Sequence, residues 1–554
     1  MRANDNPEVL IVGAGPTGLI LAHELLRRGV RIRLVEKRQG PSHTTRAMTV
    51  HARSMEMFDH IGAAHRLEEV CAECPGNIYH FPGREEDDQP RTDYRSLPTR
   101  YPFYYKINQN DFEQVLREHL LAVYSLVPEY RTEVIRIDRT SGDGDVTAVL
   151  RHADGTEEIV TAPWVVGCDG KRSFVREAAG IGFRGEEVAS MSMMDVELTN
   201  VTFDDRWMNY FFDKDLFMNC TKLPGRNWRI YMSDATGEYV HAEDQRAAFQ
   251  EVADRIGVGI KIGEPEWVTR WPILNNIADR YRNDRLLICG DASHIHSPSG
   301  GQGMNGCMQD AFNLGWKLAA VVQGKSDPVI LDTYEQERRP IGEQVTAGAM
   351  ATHEIVMGFG IEPEERYPLT QVPGWEEETI RLVSGLAHTY RDVVAVPEGL
   401  RTLDGPQPGE RAPDATLVVE PHKRLYDVFR HPGFTLVAVT GEGADESETV
   451  DVALRVQGLI DARHPGQVRT HLVTETSDDS TFDFDHRSAD ELGELHERYS
   501  VGAVSRLILV RPDLYVAMTC ALEDADKIID YLDTWFIPDP VVPRVEGLTA
   551  VGAR

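Results

Sequence analysis

Gly13, Gly15 and Gly18, with Pro16 and Thr17 between them and an acid at Glu36, form the first pattern in the chain that could do chemistry. The glycines follow the apolar run Val9 to Val12 and open a helical pattern over residues 17–28. A second apolar run, residues 31–36, ends on Glu36, 18 residues beyond Gly18, with Lys37 next. In such a βαβ opening the first glycine permits the turn, the second lets a pyrophosphate approach the backbone, and the third lets helix and strand pack closely. An acid at the end of the second strand accepts hydrogen bonds from an adenosine ribose and repels a 2′-phosphate. The pattern predicts dinucleotide binding and by itself does not separate NAD from FAD.

Two further segments lie far along the chain: Val166-Gly-Cys-Asp-Gly-Lys-Arg-Ser-Phe-Val-Arg176, and Leu286-Leu-Ile-Cys-Gly-Asp-Ala-Ser-His-Ile-His-Ser-Pro-Ser-Gly-Gly-Gln-Gly-Met-Asn305. Together with the first glycines they resemble the FAD-dependent aromatic hydroxylases, the single-component flavoprotein monooxygenases that include phenol, hydroxybenzoate and hydroxyphenylpropionate hydroxylases. The resemblance implies that Asp169 and Gly170 lie near the flavin pyrophosphate and a transiently bound NADPH or NADH. It also matches Gly290, Asp291 and Pro298 to the family's Gly-Asp-x6-Pro segment, and it makes Arg46 and Gln109 further FAD contacts. Asp291 at a strand end suits a ribityl hydroxyl. Gly300, Gly301 and Gly303, with Met304 and Asn305, can bring backbone N–H groups to the ring edge at the start of the next helix, where they stabilise a reduced flavin. Pro298 fixes the loop's path beside the ring. Only one glycine fingerprint exists, so no separate Rossmann domain is expected for the electron donor.

The implied cycle runs from NAD(P)H through FAD and O2 to a C4a-hydroperoxide that an electron-rich phenol attacks, the protein supplying placement and dryness. Deprotonating the phenol raises its electron density. Phenol and hydroxybiphenyl hydroxylases of the family tend to carry Asp or His two residues after the position of Arg46, where this chain has Met48. The substrate is therefore activated by its own substituents, or by a group among Tyr104, Tyr105, Lys106, Tyr210, Tyr231 and His241. Met48, Tyr210, Phe212, Met218, Trp228, Tyr231 and Pro298 are candidates for the pocket, and each aromatic position also suits core packing. A Baeyer–Villiger oxygenase or epoxidase on the same scaffold, and a non-catalytic FAD-binding scaffold, remain alternatives. Trp267-Val-Thr-Arg-Trp271-Pro-Ile lacks the spacing of the halogenase motif.

These residues need a doubly wound parallel sheet behind them and a second sheet in front. An α/β fold is expected: a Rossmann-like FAD-binding domain (1–75, 102–184, 276–395), an interleaved β-sheet substrate domain (76–101, 185–275), and a thioredoxin-like C-terminal domain (396–554). The last resembles the extension of the larger phenol hydroxylases through Gly409-Glu-Arg-Ala-Pro413 and Leu509-Val-Arg-Pro-Asp-Leu-Tyr515, without a CxxC. Residues 132–166 read as a strand meander returning to the nucleotide sheet, 82–93 as an exposed acidic excursion, and Asp111 to Tyr124 and Cys307 to Val322 as helices.

At 554 residues several domains are expected. A net charge of −31 argues against nucleic acid as a partner, and no run approaches the ~18 apolar residues of a membrane helix. The seven scattered cysteines fit a reducing, cytoplasmic setting. Cys71-Ala-Glu-Cys74 reads as two thiols one helical turn apart, and His294 with His296 is a poor metal pair, so no metal is expected. The expected partners are a small aromatic substrate and O2, with a homodimer as the assembly.

Overall fold

Val9–Val12 pairs in parallel with Ile32–Glu36 on one side and Trp164–Gly167 on the other, and Trp164–Gly167 pairs in parallel with Leu286–Ile288. All four strands are buried. That burial is why they read as continuous apolar runs rather than alternating ones. Glu129–Tyr130 and Arg282–Asn283 complete a six-stranded sheet. The three sequence motifs, 200 and more residues apart at the extremes, thus all leave the carboxyl ends of neighbouring parallel strands, where open α/β sheets bind ligands. The computed structural model describes residues 6–41, 47–138, 144–394, 396–418, 424–476 and 486–539. Arg46 lies outside them.

The meander is a separate three-stranded antiparallel sheet completed by Glu157–Ala162, and Trp164–Gly167 returns the chain to the nucleotide sheet. Two local expectations are corrected. Cys71 and Cys74 flank no helical turn: Ala72–Cys74 is a strand paired with Tyr104–Lys106, so tertiary pairing overrides the local pattern. The 82–93 excursion ends in the strand Arg91–Asp93, which adds to Gly76–His80 at the edge of the second sheet. An edge strand needs no apolar alternation to make backbone bonds.

That second sheet has eight strands, dominated by Phe183–Thr199 and Lys261–Ala278 paired antiparallel. Its two faces separate by residue parity. Met194, Val196, Met218, Cys220, Trp228, Ile230 and Met232 pack with Phe249 and Val252 of the helix Gln245–Ile256. Met191, Met208, Tyr210, Phe217, Tyr231 and Trp271 form the opposite apolar cluster. The C-terminal unit has a five-stranded sheet ordered Arg487–Ala489, Val468–Thr474, Phe434–Val439, Arg506–Val510, Val516–Ala521, the first three parallel and the last two antiparallel. It is covered by the helices Glu446–Arg463 and Asp526–Trp535, giving the thioredoxin-like arrangement. Its cysteine, Cys520, is buried, and burial pushes its thiol pKa up. Among the described residues no helix is long and apolar enough to cross a membrane.

Candidate active site

A single cavity of about 750 Å³ runs from Glu36 at the edge of the nucleotide sheet to Trp271 and Met357 beneath the second sheet. At the nucleotide end Glu36 is buried. Its Oε2 accepts from the Ala14 N–H at 3.0 Å and its Oε1 from the Arg38 N–H at 2.9 Å. Burial pushes this carboxyl up, but the Arg38 side chain and the two amides outweigh burial and hold it below the usual range. The three glycines divide their labour by sterics. A Cβ on Gly13, which has φ +104°, would lie 2.3 Å from the Cys168 carbonyl oxygen. One on Gly18 would lie 1.9 Å from the Gly13 oxygen. Gly15 meets nothing within 4 Å, so its backbone faces open cavity. Pro16, Thr17, Lys37 and Gln109 also line it.

Asp169 accepts from the Phe174 and Val175 amides through Oδ2 at 2.7 and 3.2 Å, which starts the helix Phe174–Ala178. Its Oδ1 is buried without a partner, and burial pushes the carboxyl up. Asp291 accepts from Cys307 Sγ at 3.3 Å and faces the cavity. Gly290 is walled off instead: a Cβ there would sit 2.5 Å from Thr17 Oγ1. Gly301, at φ +65°, precedes the helix Gln302–Val322, so the unpaired amides of that helix's first turn lie at the cavity beside Pro298, Gly303 and Met304. A Cβ on Gly301 would strike Thr49 Oγ1 at 2.5 Å.

Asn305 does not line the cavity as expected. Its side chain accepts from the His51 N–H and the Ser54 hydroxyl and donates to the Thr49 and Gly301 carbonyls, so it braces the loop from behind. His294 Nε2 pairs with Asp310 at 2.7 Å, and His296 Nδ1 with the Ser297 carbonyl at 2.8 Å.

The far end is walled by Met48, Met191, Met208, Tyr210, Phe217, Asn219, Tyr231, Trp271, Ile273 and Met357. Tyr210 stacks on Tyr79 with centroids 5.3 Å apart, and Tyr231 hydrogen-bonds Arg229. Arg229 is buried and donates to both oxygens of Asp195 at 2.7 Å.

Several expected residues are not here. Met218 and Trp228 point to the helix-covered face of the sheet, Met218 one residue from Phe217 on its strand and Trp228 three residues from Tyr231 on the next, both odd steps that reverse the face. Phe212 shares the face of Tyr210 but lies beyond the cavity, edge-on to Phe81 at 4.8 Å. Lys106 spends its ammonium on the carbonyls of Asp205 and Arg206. Tyr104 bonds Tyr94 at 2.6 Å, Tyr105 is core, and His241 is exposed beside the helix-covered face. Phe217, Asn219 and Met357 were not singled out from sequence. One signal pointed to the first two: Phe217, Asn219 and Thr221 share a strand face that mixes ring and polar groups, whereas Leu216, Met218 and Cys220 form a purely apolar one.

An orphaned carboxylate oxygen at Asp169, an open glycine backbone at Gly15, an acid at the ribose position and a helix N-terminus at the ring position together suit a flavin dinucleotide. Comparison with known proteins agrees. The FAD binding domain family matches residues 6–349, and the aromatic-ring hydroxylase C-terminal family matches residues 405–538. The chain is similar to pentachlorophenol 4-monooxygenase of Sphingobium chlorophenolicum, at 39% identity over 532 residues and 96% of both chains. It is 33% identical to 6-methylpretetramide 4-monooxygenase of Streptomyces rimosus, over 93% of this chain and 90% of the relative. An anhydrotetracycline hydroxylase from Streptomyces rimosus superposes with a TM-score of 0.75 at 28% identity, over 96% of this chain and 99% of that one. The chain belongs to the FAD-binding aromatic-ring hydroxylases and is an FAD-dependent monooxygenase.

Proposed function

We propose that the enzyme uses NADPH or NADH and O2 to place one oxygen atom on the ring of a small phenol. One observation carries this reading: the far end of the cavity is aromatic and apolar, and its polar groups include Tyr231, bonded to Arg229. The relatives' names, a chlorophenol and a polyketide oxygenase among them, agree with a phenolic substrate. Size favours a small ring. Pockets for drug-sized ligands alone occupy about 300–1,000 Å³, and here about 750 Å³ holds both dinucleotide and substrate.

Bound FAD supplies the electron storage and the oxygen-activating chemistry. The chain's part is placement, charge and dryness. Glu36, Gly15 and Asp291 would hold the dinucleotide, and the first-turn amides after Gly301 would favour negative charge on its flavin. Tyr231 takes a hydrogen bond from the Arg229 guanidinium on its oxygen and donates its own hydrogen to the substrate's phenolic oxygen, orienting the ring. The apolar wall excludes water and so strengthens that bond. Residues 1–75, 102–184 and 276–395 serve the cofactor, and 76–101 with 185–275 the substrate. Met357 crosses that division, and the C-terminal unit serves packing and a homodimer.

Purified FAD-loaded enzyme given NADH or NADPH, labelled O2 and a panel of phenols should yield a ring hydroxylated with one labelled oxygen. Cofactor oxidation without any oxygenated product defeats the proposal. A ring-expanded lactone or an epoxide assigns the alternative chemistry instead.

A further inference from the structure

Five of the chain's 15 methionines line this one cavity. Met304 stands at the ring loop. Met48, Met191, Met208 and Met357 belong to the same apolar cluster as Tyr210 and Trp271, at the substrate end. These four arrive from separate elements: the segment before Thr49–Val50, the strands Phe183–Thr199 and Met208–Phe212, and the last residue of the helix Asp332–Met357. All are buried, Met191 to 2% exposure and Met357 to 3%. Four thioethers converging from four backbones make a wall unlike the leucine and valine packing of the nucleotide sheet.

Charge is distributed oppositely. The carboxylate, lysine and arginine side chains that line the cavity lie at segments 36–38, 133, 169–177 and 291, toward the nucleotide end; of the two histidines that also line it, His294 is paired with Asp310 and burial lowers the pKa of His296 to about 4. Arg229, on the strand that carries Tyr231, already has a bidentate partner in Asp195, whose Oδ2 also accepts from Trp267 Nε1 at 2.8 Å. A carboxylate on the substrate would be buried there without a dedicated counter-charge, which is costly.

We propose that Met48, Met191, Met208 and Met357 form a specificity-determining cage that selects phenols carrying bulky, polarizable, uncharged ring substituents, halogens above all, and rejects carboxylated phenols. The inference rests on the phenol reading above. The thioether is unbranched, has three rotatable bonds and is strongly polarizable, so the cage re-forms around substituents at several ring positions and gains dispersion from soft atoms. A wall of β-branched residues would fix one shape.

The test is binding without turnover. FAD-loaded enzyme, with no reductant, is titrated with unsubstituted phenol, an ortho-dibrominated phenol, its ortho-dimethyl counterpart and a hydroxybenzoate, and Kd is read from the perturbed flavin absorbance. Bromine and methyl are close in size and differ in polarizability. The wild type should prefer the bromo over the methyl compound by about tenfold, on the scale of one or two sulfur contacts, and the hydroxybenzoate should give no change. Met191→Leu with Met208→Leu keeps volume and removes sulfur. It should lower the bromo-to-methyl preference severalfold relative to the wild type, chiefly by weakening the bromo compound. Acidity differences between the two phenols are common to wild type and variant and cancel in that comparison. Should the pair of changes cost flavin content, Met357→Leu alone is read the same way. An unchanged preference in the leucine variants, or a tightly bound hydroxybenzoate, overturns the cage while leaving phenol hydroxylation standing. Failure of all three uncarboxylated phenols to perturb the flavin and to be hydroxylated overturns both.

Discussion

Arg229 and Asp195 face each other across neighbouring strands, Nε to Oδ1 and a terminal nitrogen to Oδ2, both at 2.7 Å, with both side chains nearly excluded from solvent. Burial alone would lower the guanidinium's pKa. The Asp195 carboxylate and Tyr231 outweigh it and hold the pKa above its ordinary value. Two further guanidinium hydrogens reach the Ala47 carbonyl and Asn108 Oδ1, so the pair ties the second sheet to the segment that carries Met48.

Asp195→Ala should therefore leave a buried cation without its partner. The expected loss is about 3–5 kcal/mol, read as a lower melting temperature of the FAD-loaded enzyme, with KM for the phenol raised because Tyr231 loses its anchored neighbour. Asp195→Asn, which keeps two polar atoms in place, should lose less. Equal melting temperatures for wild type and Asp195→Ala would refute the assignment of this pair as structural.

The glycines should respond in opposite ways. Gly18→Ala puts a Cβ 1.9 Å from the Gly13 oxygen and forces helix and strand apart, so the protein should fold poorly and lose its cooperative melt. Gly15→Ala meets no protein atom within 4 Å. It should fold normally, by circular dichroism, and bind FAD about tenfold more weakly because the methyl occupies the pyrophosphate's approach. Flavin content per protein after dialysis separates the two. A Gly15→Ala enzyme that retains full flavin would show that the backbone there is not approached by the cofactor.

How far the chain was legible follows from these same positions. The nucleotide site could be read because each of its parts, Gly13 to Gly18, Glu36, Asp169 and Asp291, follows a strand buried on both faces, so the apolar run and its break are contiguous in sequence. The substrate end could not be read so directly. Leu216 to Lys222 has apolar residues on both faces, and a shift of one residue exchanges Phe217 for Met218. In Trp228 to Asp234 the alternation was legible: Arg229, Tyr231 and Ser233 are polar on one side, and that side faces the site, which places Tyr231 in the cavity and Trp228 outside it. Met357 carries no local signal, because its place in the wall depends on where a 26-residue helix ends relative to a sheet 150 residues earlier.

His51 links acidity to cofactor retention. Its Nε2–H donates to the Gly301 carbonyl at 3.0 Å, behind the flavin loop, and burial lowers its pKa from 6.5 to about 4. A histidine whose folded pKa lies below its unfolded value contributes full stability above about 6.5 and loses it as pH falls toward the folded pKa. Acidification from pH 6.5 to about 4 should release FAD, seen as rising flavin fluorescence. His51→Gln keeps a donor for Gly301 without a titrating ring, and should move half-release to lower pH by roughly half a unit. His23, His60, His296, His388 and His431, whose pKa values burial also lowers, share the remaining acid sensitivity. A midpoint that does not move in His51→Gln would assign the acid sensitivity elsewhere.

A buried charge cluster joins the C-terminal unit to the helices at the cofactor site. Arg511, on the turn after the strand Arg506–Val510, donates to both oxygens of Glu337 at 2.7 Å and to both oxygens of Asp513. Glu337 also binds Lys317 at 2.7 Å, and Asn313 spans Glu337 and Asp513. Lys317 and Asn313 belong to the helix Gln302–Val322, whose other end forms the flavin loop. Burial would raise the Glu337 carboxyl, but Arg511 and Lys317 hold it well below its usual value. Arg511→Met leaves two buried carboxylates sharing one ammonium, so about 3–5 kcal/mol should be lost, with FAD retention falling as the helix loses its anchor. Because the cost is an unpaired charge rather than a missing contact, Arg511→Met combined with Glu337→Gln should melt higher than Arg511→Met alone. If the double variant instead melts at the sum of the two single losses, the network acts as independent contacts and not as a charge-balanced clamp.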